Sequence, residues 1–372
     1  MNGEKERIKN RKLLPLLMVG LMLFSFVMGL TACGEKTEGE GKGEEKTITD
    51  DAGRSVSLPR EVTKCYYTSP VGLIMVYTLD PDKMAGWSFQ LTDKEKAYIP
   101  EKYSDLPFLG GQQMNGKLNT EEIIKAAPQV IFSVVTDPKS ELSISDADKL
   151  QEQLNIPVVV VDGELSRIDG AYAFMGEILG AEKQAKKLGA YCKNTVKEVT
   201  EATKDIPEDQ RARVYYAEGP EGLATEPSGS MHSALLELVH GKNIAEVETK
   251  GKGGMSDVSM EQVLSWNPDV ILSWSLDKGG AYDTIVSSDN WSTINAVKNK
   301  AVYEIPNQPF NWFDRPPSVN RMIGMKWLAT TLYPDQYKID LKKEVKEFYT
   351  LFYHIDLTDG QLNALLGNAV RK

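Results

Sequence analysis

The run Asn119-Thr-Glu-Glu-Ile-Ile-Lys-Ala-Ala-Pro-Gln-Val-Ile-Phe-Ser133 returns later in the chain as Ser259-Met-Glu-Gln-Val-Leu-Ser-Trp-Asn-Pro-Asp-Val-Ile-Leu-Ser273. Both copies begin with a capping residue, followed by a glutamate two residues on, a proline nine residues on and a serine at the end. This order predicts a short helix, a break at the proline and then a buried strand. Residues 64–70 are echoed by residues 213–220 in the same order, so the sequence predicts two similar lobes.

The rest of the chain alternates short β-rich runs with helical patterns, which is typical of α/β domains with largely parallel sheets. An amphipathic pattern over residues 181–205, closed by Pro207, predicts one long helix between the lobes. The predicted fold class is therefore α/β, with two similar lobes of mainly parallel sheets joined by one long rigid helix and a ligand cleft between the lobes. We predict strands at residues 65–67, 130–134, 158–161, 214–216, 270–273 and 301–305, and helices at 121–127, 233–239 and 261–266.

The N-terminus has the pattern of a secretion signal. Basic residues dominate the first twelve positions, and twenty uncharged residues follow. Pro15, Gly20 and Gly29 interrupt this run, which favours a cleaved signal peptide over an uncleaved membrane anchor. Both interpretations place the rest of the chain outside the cytoplasm. The run ends in Leu30-Thr31-Ala32-Cys33, which resembles the lipobox of bacterial lipoproteins, so Cys33 is the predicted lipidation site.

The segment that follows predicts a flexible tether, because residues 34–46 contain no apolar side chain larger than a threonine methyl group. The domain boundaries are predicted from these segments. They are a lipoprotein signal peptide at 1–32, a tether at 33–46, an N-terminal lobe at 47–180, a bridging helix at 181–206, a C-terminal lobe at 207–338 and a C-terminal helical extension at 339–372, to which we assign only packing.

Composition excludes several classes of function. A net charge of -10 over 372 residues argues against nucleic acid as a partner, because binding phosphates needs a basic face. Three histidines are too few for an imidazole-rich metal site, and Cys33, Cys65 and Cys192 form no CxxC motif. A bridge between Cys65 and Cys192 has no support in the sequence. P-loop, dinucleotide and nucleophile-elbow motifs are missing too, so we expect no enzyme, no cofactor and no resident metal.

The lipobox, the opening run at residues 49–59, the duplicated motif and the bridging helix occur in an order that resembles the class III substrate-binding proteins of ABC importers. These are receptors for iron-siderophores, heme and vitamin B12, with some oxyanion binders among them. The resemblance covers residues 47–335 and implies a monomeric receptor, lipid-anchored on the extracytoplasmic face of the cell membrane. Such a receptor captures a small-molecule metal chelate and delivers it to an ABC permease dimer with its ATPase.

Other interpretations stay open beside this one. The alternative ligand within the family is a small oxyanion such as molybdate or tungstate. An enzyme would reveal itself by turnover of model esters, and a surface adhesin by failing to bind any small ligand.

Candidate ligand-binding residues lie in loops that follow the carboxyl ends of predicted strands, where open α/β sheets bind their ligands. Many aromatic side chains are core residues in any domain. In the extended run at residues 311–317, however, two adjacent bulky rings cannot both face inward, so Trp312 or Phe313 is predicted to line the cleft. The candidate set is Tyr67, Trp87, Gln112, Gln113, Glu218, Thr225, His232, Trp274, Trp312, Phe313 and Arg315.

Two of these candidates have a specific chemistry. Arg315 is the only cation in the loop at residues 307–315, and its guanidinium suits a carboxylate, phosphate or oxyanion, although a local pair with Asp314 is the alternative. His232 follows Gly229-Ser-Met at a predicted helix start, where it is either an exposed residue or an axial group for a metallated macrocycle.

Glu121 and Glu261 occupy the same position in the two copies of the repeat. An acidic residue in the first turn of a helix interacts favourably with the helix dipole, which is the structural explanation. The resemblance implies a second role, in which one glutamate of each lobe meets arginines of a two-subunit permease.

Overall fold

The computed structural model describes residues 44–110, 118–248 and 254–371. The N-terminal lobe is built on a parallel three-stranded sheet in the order β3-β4-β5, preceded by the antiparallel hairpin β1-β2. The strands are β1 (Glu45–Thr49), β2 (Ser55–Pro59), β3 (Cys65–Tyr67), β4 (Val130–Val135) and β5 (Val158–Asp162).

The C-terminal lobe repeats this plan with a parallel sheet of four strands in the order β11-β10-β6-β8. A short antiparallel pair, β7 and β9, lies beside it. The strands are β6 (Arg213–Ala217), β7 (Ala224–Thr225), β8 (Lys242–Asn243), β9 (Ser256–Asp257), β10 (Val270–Ser273) and β11 (Val302–Glu304). The prediction of two lobes with parallel sheets is confirmed.

Helices surround both sheets. Their bounds are α1 (Pro70–Leu79), α2 (Asp93–Lys96), α3 (Glu101–Ser104), α4 (Thr120–Ala126), α5 (Glu141–Leu154), α6 (Ile168–Leu179), α7 (Glu182–Thr203), α8 (Ala234–Leu238), α9 (Met260–Trp266), α10 (Tyr282–Ser287), α11 (Asn295–Lys298), α12 (Arg321–Leu332), α13 (Leu341–Phe352) and α14 (Asp359–Leu366). The three short helices predicted from the sequence, at 121–127, 233–239 and 261–266, agree with these bounds to within one residue.

The two copies of the repeat fold alike. In each, a short helix, α4 or α9, ends four residues before an inner strand begins. The residue after each helix has a left-handed backbone, Ala127 with φ 51° and Asn267 with φ 45°. This conformation ends a helix, and asparagine adopts it more readily than alanine does. The buried Pro128 and Pro268 then lead into the strands.

The long helix α7 connects the lobes. It has 22 residues and therefore a length of roughly 33 Å. Its apolar stripe, which includes Leu188, Cys192 and Val199, is fully buried, with α6 and α12 packed against the helix. The sequence predicted this helix at residues 181–205, so its existence and position are confirmed.

The C-terminal extension contributes more than surface packing. Four aromatic residues of α13 and the turn after it are fully buried: Phe348, Tyr349, Phe352 and Tyr353. The Tyr77 hydroxyl of the N-terminal lobe donates to the Tyr353 carbonyl at 2.7 Å. On the other side, the Trp312 indole donates to the Tyr349 hydroxyl at 3.3 Å. The extension therefore contacts both lobes and adds a second connection beside α7.

Several predictions concern residues outside the described ranges. The signal peptide, Cys33 and most of the tether belong to residues 1–43, and Gln112 and Gln113 belong to residues 111–117. Within the described ranges, Cys65 and Cys192 are buried free thiols, and no helix is long and apolar enough to cross a membrane.

Candidate functional site

A cavity of about 440 Å³ lies where loops of the two lobes meet. These loops follow strands β3, β7, β10 and β11, so the cavity lies at the carboxyl ends of both parallel sheets. The N-terminal lobe contributes Pro70, Ser88, Phe89, Gln90, Thr92 and Glu95, and the C-terminal lobe contributes His232, Lys278, Asn307, Pro309, Phe310, Asn311, Arg315, Pro316 and Pro317.

The loop after β11 is shaped by Asn311. Its side-chain oxygen accepts hydrogen bonds at 2.9 Å from the backbone N–H groups of Phe313 and Asp314. An asparagine that binds the backbone two and three residues on forms a turn. The segment is therefore tightly turned, and this turn decides where its side chains point.

The turn corrects the expectation that Trp312 or Phe313 lines the cleft. Both side chains are fully buried. The Trp312 ring lies 6.5 Å from the Trp327 ring, and the Phe313 ring lies 4.8 Å from the Tyr216 ring. Because the backbone turns instead of extending, two adjacent rings both reach the interior, and the aromatic residue of this loop that lines the cavity is Phe310.

Behind the cavity wall lies a buried charge cluster, made of Glu218, Glu226, Asp314, Arg315, Arg321 and His232. Asp314 is fully buried at its centre. Its carboxylate lies 2.5 Å from the Nδ1 of His232, 3.1 Å from the Nε of Arg315 and 3.5 Å from an Nη of Arg321. Three carboxylates thus face two guanidinium groups and one imidazole.

Arg315 connects this cluster to the cavity. One Nη donates to Glu226 at 2.8 Å and to Glu218 at 3.2 Å. The side chain keeps 31% of its surface exposed, and its guanidinium carbon lies 5.7 Å from the centre of the Trp274 ring. The local pair with Asp314 exists, and the same side chain also lines the cavity.

Burial and mutual repulsion set the protonation of the cluster. Burial raises the pKa of Glu218 to about 8, with Arg315 opposing the shift and the carboxylates of Glu226 and Asp314 adding to it. The Oε2 atom of Glu218 is buried with no hydrogen-bond partner among the described residues. For Arg315, burial opposes the charge, but Asp314 and Glu218 outweigh it and raise its pKa. At neutral pH the neutral form of Glu218 therefore predominates, which balances the remaining carboxylates against the two arginines.

His232 is held in one orientation by both of its ring nitrogens. The Nδ1 lies against the Asp314 carboxylate, and the Nε2 lies 3.2 Å from an Nη of Arg315. Because a guanidinium can only donate, this pattern assigns the proton to Nδ1 and the free electron pair to Nε2. A carboxylate that orients an imidazole at a cavity wall is a common arrangement behind metal-binding histidines.

Ion pairs join the two lobes at the cavity. Glu95, in α2, accepts from Lys278 of the loop after β10 at 3.0 Å. The neighbouring residues Lys94 and Asp277 form a second ion pair between these two segments. Gln308 also donates to Asp277 at 3.1 Å. We call the contacts Glu95–Lys278 and Lys94–Asp277 the interlobe ion pairs.

The other predicted residues in the described part of the chain, Tyr67, Trp87, Glu218, Thr225 and Trp274, do not line this cavity. Glu218 and Trp274 contact Arg315, and Thr225 is buried with a hydroxyl that has no partner among the described residues. Tyr67 and Trp87 are core residues of the N-terminal lobe, since the Tyr67 hydroxyl donates to the Gly86 carbonyl and the Trp87 indole donates to the Tyr103 carbonyl at 2.8 Å. Neither of these two side chains lines the cavity, which corrects their assignment to it.

Sequence reasoning missed Phe89, Glu95 and Lys278, which carry no distinctive motif. Phe310 and Asn311 belong to a loop that the sequence analysis did select. That their side chains line the cavity could not be predicted, because it depends on the turn that Asn311 forms. Within the described parts of the chain, no cluster of histidine, cysteine and carboxylate side chains could hold a metal ion by itself.

Glu121 and Glu261 are exposed in the first turns of α4 and α9. The caps of these helices are satisfied by Asn119, which accepts from the Glu122 N–H at 3.4 Å, and by Ser259, which accepts from the Gln262 N–H at 3.2 Å. Glu261 also accepts from its own backbone N–H and from the Ser259 hydroxyl, which lowers its pKa, so this glutamate has a structural role at the start of α9 as well.

Comparison with known proteins identifies the family. Residues 78–309 match the family model described as "Periplasmic binding protein". Among solved structures, an ABC transporter solute binding protein from Sulfurospirillum deleyianum is 30% identical, with a TM-score of 0.78 over 86% of this chain and 99% of that one.

Two curated relatives carry names that mention a ligand. The molybdate-binding protein MolA of Haemophilus influenzae is 27% identical and aligns over 83% of this chain and 91% of its own length. The high-affinity heme uptake system protein IsdE of Staphylococcus aureus is 27% identical over 68% of this chain and 84% of its own. Proteins of this kind are extracytoplasmic and work with a permease and an ATPase. The chain belongs to the periplasmic binding protein family, as a class III substrate-binding protein of an ABC transporter and not as an enzyme.

Proposed function

We propose that this substrate-binding protein captures a metal chelate, such as a ferric siderophore, heme or a corrinoid, and delivers it to its permease. The observation that carries the proposal is the pairing of His232 with Arg315 at the wall of the cavity. His232 offers an oriented imidazole nitrogen to a metal, and Arg315 offers a guanidinium to an anionic group of the same chelate.

The size of the cavity supports a ligand with many atoms. At about 440 Å³ it lies in the range of pockets that enclose cofactor-sized molecules, about 300–1,000 Å³. A tetrahedral oxyanion has four oxygen atoms, each comparable to a water of about 30 Å³, and would fill about a quarter of this space. The rings of Phe89 and Phe310 and the four prolines of the wall provide apolar contact area for a larger ligand.

Binding the metal requires Arg315 to move. Its Nη occupies the position in front of the His232 Nε2 that a metal would take. The contacts of Arg315 with Glu218 and Glu226 and its partial exposure support a side chain that can exchange partners within the cluster. An anionic chelate would replace one carboxylate partner and draw the guanidinium into the cavity.

A small oxyanion is the second candidate, favoured by the similarity to MolA. Arg315 and Lys278 would then act together as donors to one anion, with water filling the rest of the cavity.

A ligand panel tests the proposal. The mature protein, residues 33–372, is titrated calorimetrically with hemin, ferric catecholate and hydroxamate siderophores, cyanocobalamin, molybdate and tungstate. We expect one chelate to bind, and His232→Ala to weaken that binding about 10–100-fold, in line with the effect of perturbing metal-ligand shells. His240→Ala, which removes an imidazole bound to Thr203 away from the cavity, is the matched control. Binding of molybdate with no response to any chelate would establish the second candidate instead.

The proposal extends to the termini and the outer surface. We propose that Cys33 is lipidated after cleavage at residue 32, that residues 33–46 form a tether to the membrane and that the protein is a monomer with the predicted lobe boundaries. Glu121 and Glu261 are proposed to meet basic side chains of a permease dimer, because one exposed glutamate stands at the same place in each lobe. A mass spectrum of membrane-extracted protein with an unmodified Cys33 would refute the anchor.

A further inference from the structure

The repeated helices α4 and α9 each carry an exposed aliphatic side chain at the same position. Ile124 is 52% exposed and Leu264 is 39% exposed. The residues directly before them, Ile123 and Val263, are fully buried. Ile123 and Val263 therefore pack each helix against its lobe, while the next residue in both copies, Ile124 or Leu264, is exposed.

Each of these side chains stands beside a proposed docking glutamate. Glu121 precedes Ile124 by three residues, and Glu261 precedes Leu264 by three residues. Residues three apart on a helix are neighbours on one face. Each lobe thus presents a carboxylate and an aliphatic group side by side, in the same order along the helix.

A single exposed aliphatic residue needs no explanation. The duplication is what distinguishes this pair. Leu142 in α5 and Val286 in α10 are also exposed, but they lie outside the repeated run. A feature kept twice on a pseudo-symmetric surface matches a partner that has two equal halves. Charged groups at such an interface guide the encounter of the two proteins and fix their relative alignment. Buried apolar area contributes the affinity.

We propose that Ile124 and Leu264 are the apolar half of a paired docking surface, each inserted into an apolar pocket on one subunit of the permease dimer. This inference rests on the proposed function and deepens it. The glutamate of each pair orients the receptor, and the aliphatic residue holds it on the membrane protein.

Photocrosslinking tests where these residues dock. The full-length protein carrying benzoylphenylalanine in place of Ile124, Leu264 or, as a control, the more exposed Leu142 is expressed in the source organism and irradiated. We expect positions 124 and 264 each to give an adduct whose peptides belong to the same polytopic permease subunit, and position 142 to give none. Adducts of positions 124 and 264 with other proteins only, or no adducts, would overturn the inference.

Affinity for the permease tests the energetic role. The double variant Ile124→Ala/Leu264→Ala should bind the permease–ATPase complex in proteoliposomes about tenfold more weakly, which corresponds to about 1.4 kcal/mol. Its thermal unfolding should be unchanged, and Leu142→Ala/Val286→Ala should bind like the parent protein. If Glu121→Lys/Glu261→Lys abolishes binding but the alanine pair does not, the inference fails and the proposed function stands. If the parent protein binds no permease, both fail.

Discussion

The N-terminal lobe lines the cavity with Pro70, Ser88, Phe89, Gln90 and Thr92, and Glu95 is its one charged side chain among the described lining residues. The C-terminal lobe places His232, Lys278 and Arg315 there, with three buried carboxylates behind them. The two lobes have equivalent strands at the repeated motif, but the cavity walls that they form differ in charge. Duplication produced the common frame of the cleft, and the loops made the C-terminal wall ionic, with apolar surface from Phe310 and three prolines, and left the N-terminal wall mostly polar and uncharged.

The difference indicates how a ligand is oriented. In the proposed chelate complex, the ionic C-terminal wall would hold the metal, any anionic group and part of the ligand body, and the N-terminal wall would add the Phe89 ring and neutral hydrogen-bonding groups.

Replacing Asp314 should remove the ionic character of the C-terminal wall at its centre. Asp314→Ala leaves Arg315 and the buried Arg321 with fewer counter-charges, and breaking a buried ion pair typically costs about 3–5 kcal/mol of unfolding free energy. Denaturant titration measures this loss. The exposed Asp335, which lies 3.8 Å from Lys338, is the matched control, and Asp335→Ala should change stability by less than about 0.5 kcal/mol. A loss below about 1 kcal/mol for Asp314→Ala would show that the cluster rearranges without it.

Glu218, in the charge cluster behind the ionic wall, should make the stability of the folded protein depend on pH. Its pKa is about 8 in the folded protein and about 4.5 when unfolded, so the folded state retains a proton that the unfolded state has lost between these values. The stabilisation is complete below pH about 4.5 and is lost as the pH rises toward about 8.

Thermal unfolding of the parent protein and of Glu218→Gln between pH about 5 and 8.5 isolates the contribution of Glu218 to stability, because the variant keeps a neutral side chain throughout. The melting temperature of the parent should fall relative to the variant, by about 2–4 °C for each kcal/mol lost. Parallel curves would contradict the raised pKa.

The interlobe ion pairs should have the smallest effect. Lys278 is 47% exposed, and exposed pairs contribute about 0.2–1 kcal/mol, screened by salt. Lys278→Ala should therefore lower stability by less than about 1 kcal/mol at low salt, with the difference shrinking in about 1 M NaCl. Lys278→Arg should retain the parent value because it keeps the positive charge and leaves Glu95, whose carboxylate also accepts from the Thr92 N–H in the cap of α2, unchanged. A larger, salt-independent loss would make this pair a structural bridge between the two walls.

The helices and strands that were predicted correctly are specified by residues close together in the chain. Each repeated run has its cap, its buried apolar residue, its proline and its β-branched strand within fifteen residues. The long helix α7 shows an uninterrupted apolar stripe. Such patterns need no distant partner to be recognised, and these elements were placed within a few residues.

The site residues were predicted less well because burial there depends on distant contacts. Trp312 became a core residue through Asn311, which turns the backbone, and through Tyr349, which comes from the C-terminal extension. Trp87 and Tyr67 are buried in the N-terminal lobe, where their polar atoms donate to the carbonyl of Tyr103 in α3 and to that of Gly86, which no local pattern indicates. Arg315 and His232 do line the cavity, and each is a rare charged or titratable group in a loop after a strand, while their contact with a ligand stays a prediction.

The sequence was enough to predict the α/β class, the two lobes, the helix between them and the family to which the protein belongs. These features depend on periodicity and duplication, which can be recognised from residues close together in the chain. Which loop side chains face the cavity, and that Glu218, Glu226 and Asp314 all contact Arg315, depended on the tertiary structure, since the two glutamates lie far from Asp314 and Arg315 in the chain. The protonation of Glu218 follows from that assembly, because a pKa depends on burial and on nearby charges that no local run of residues contains.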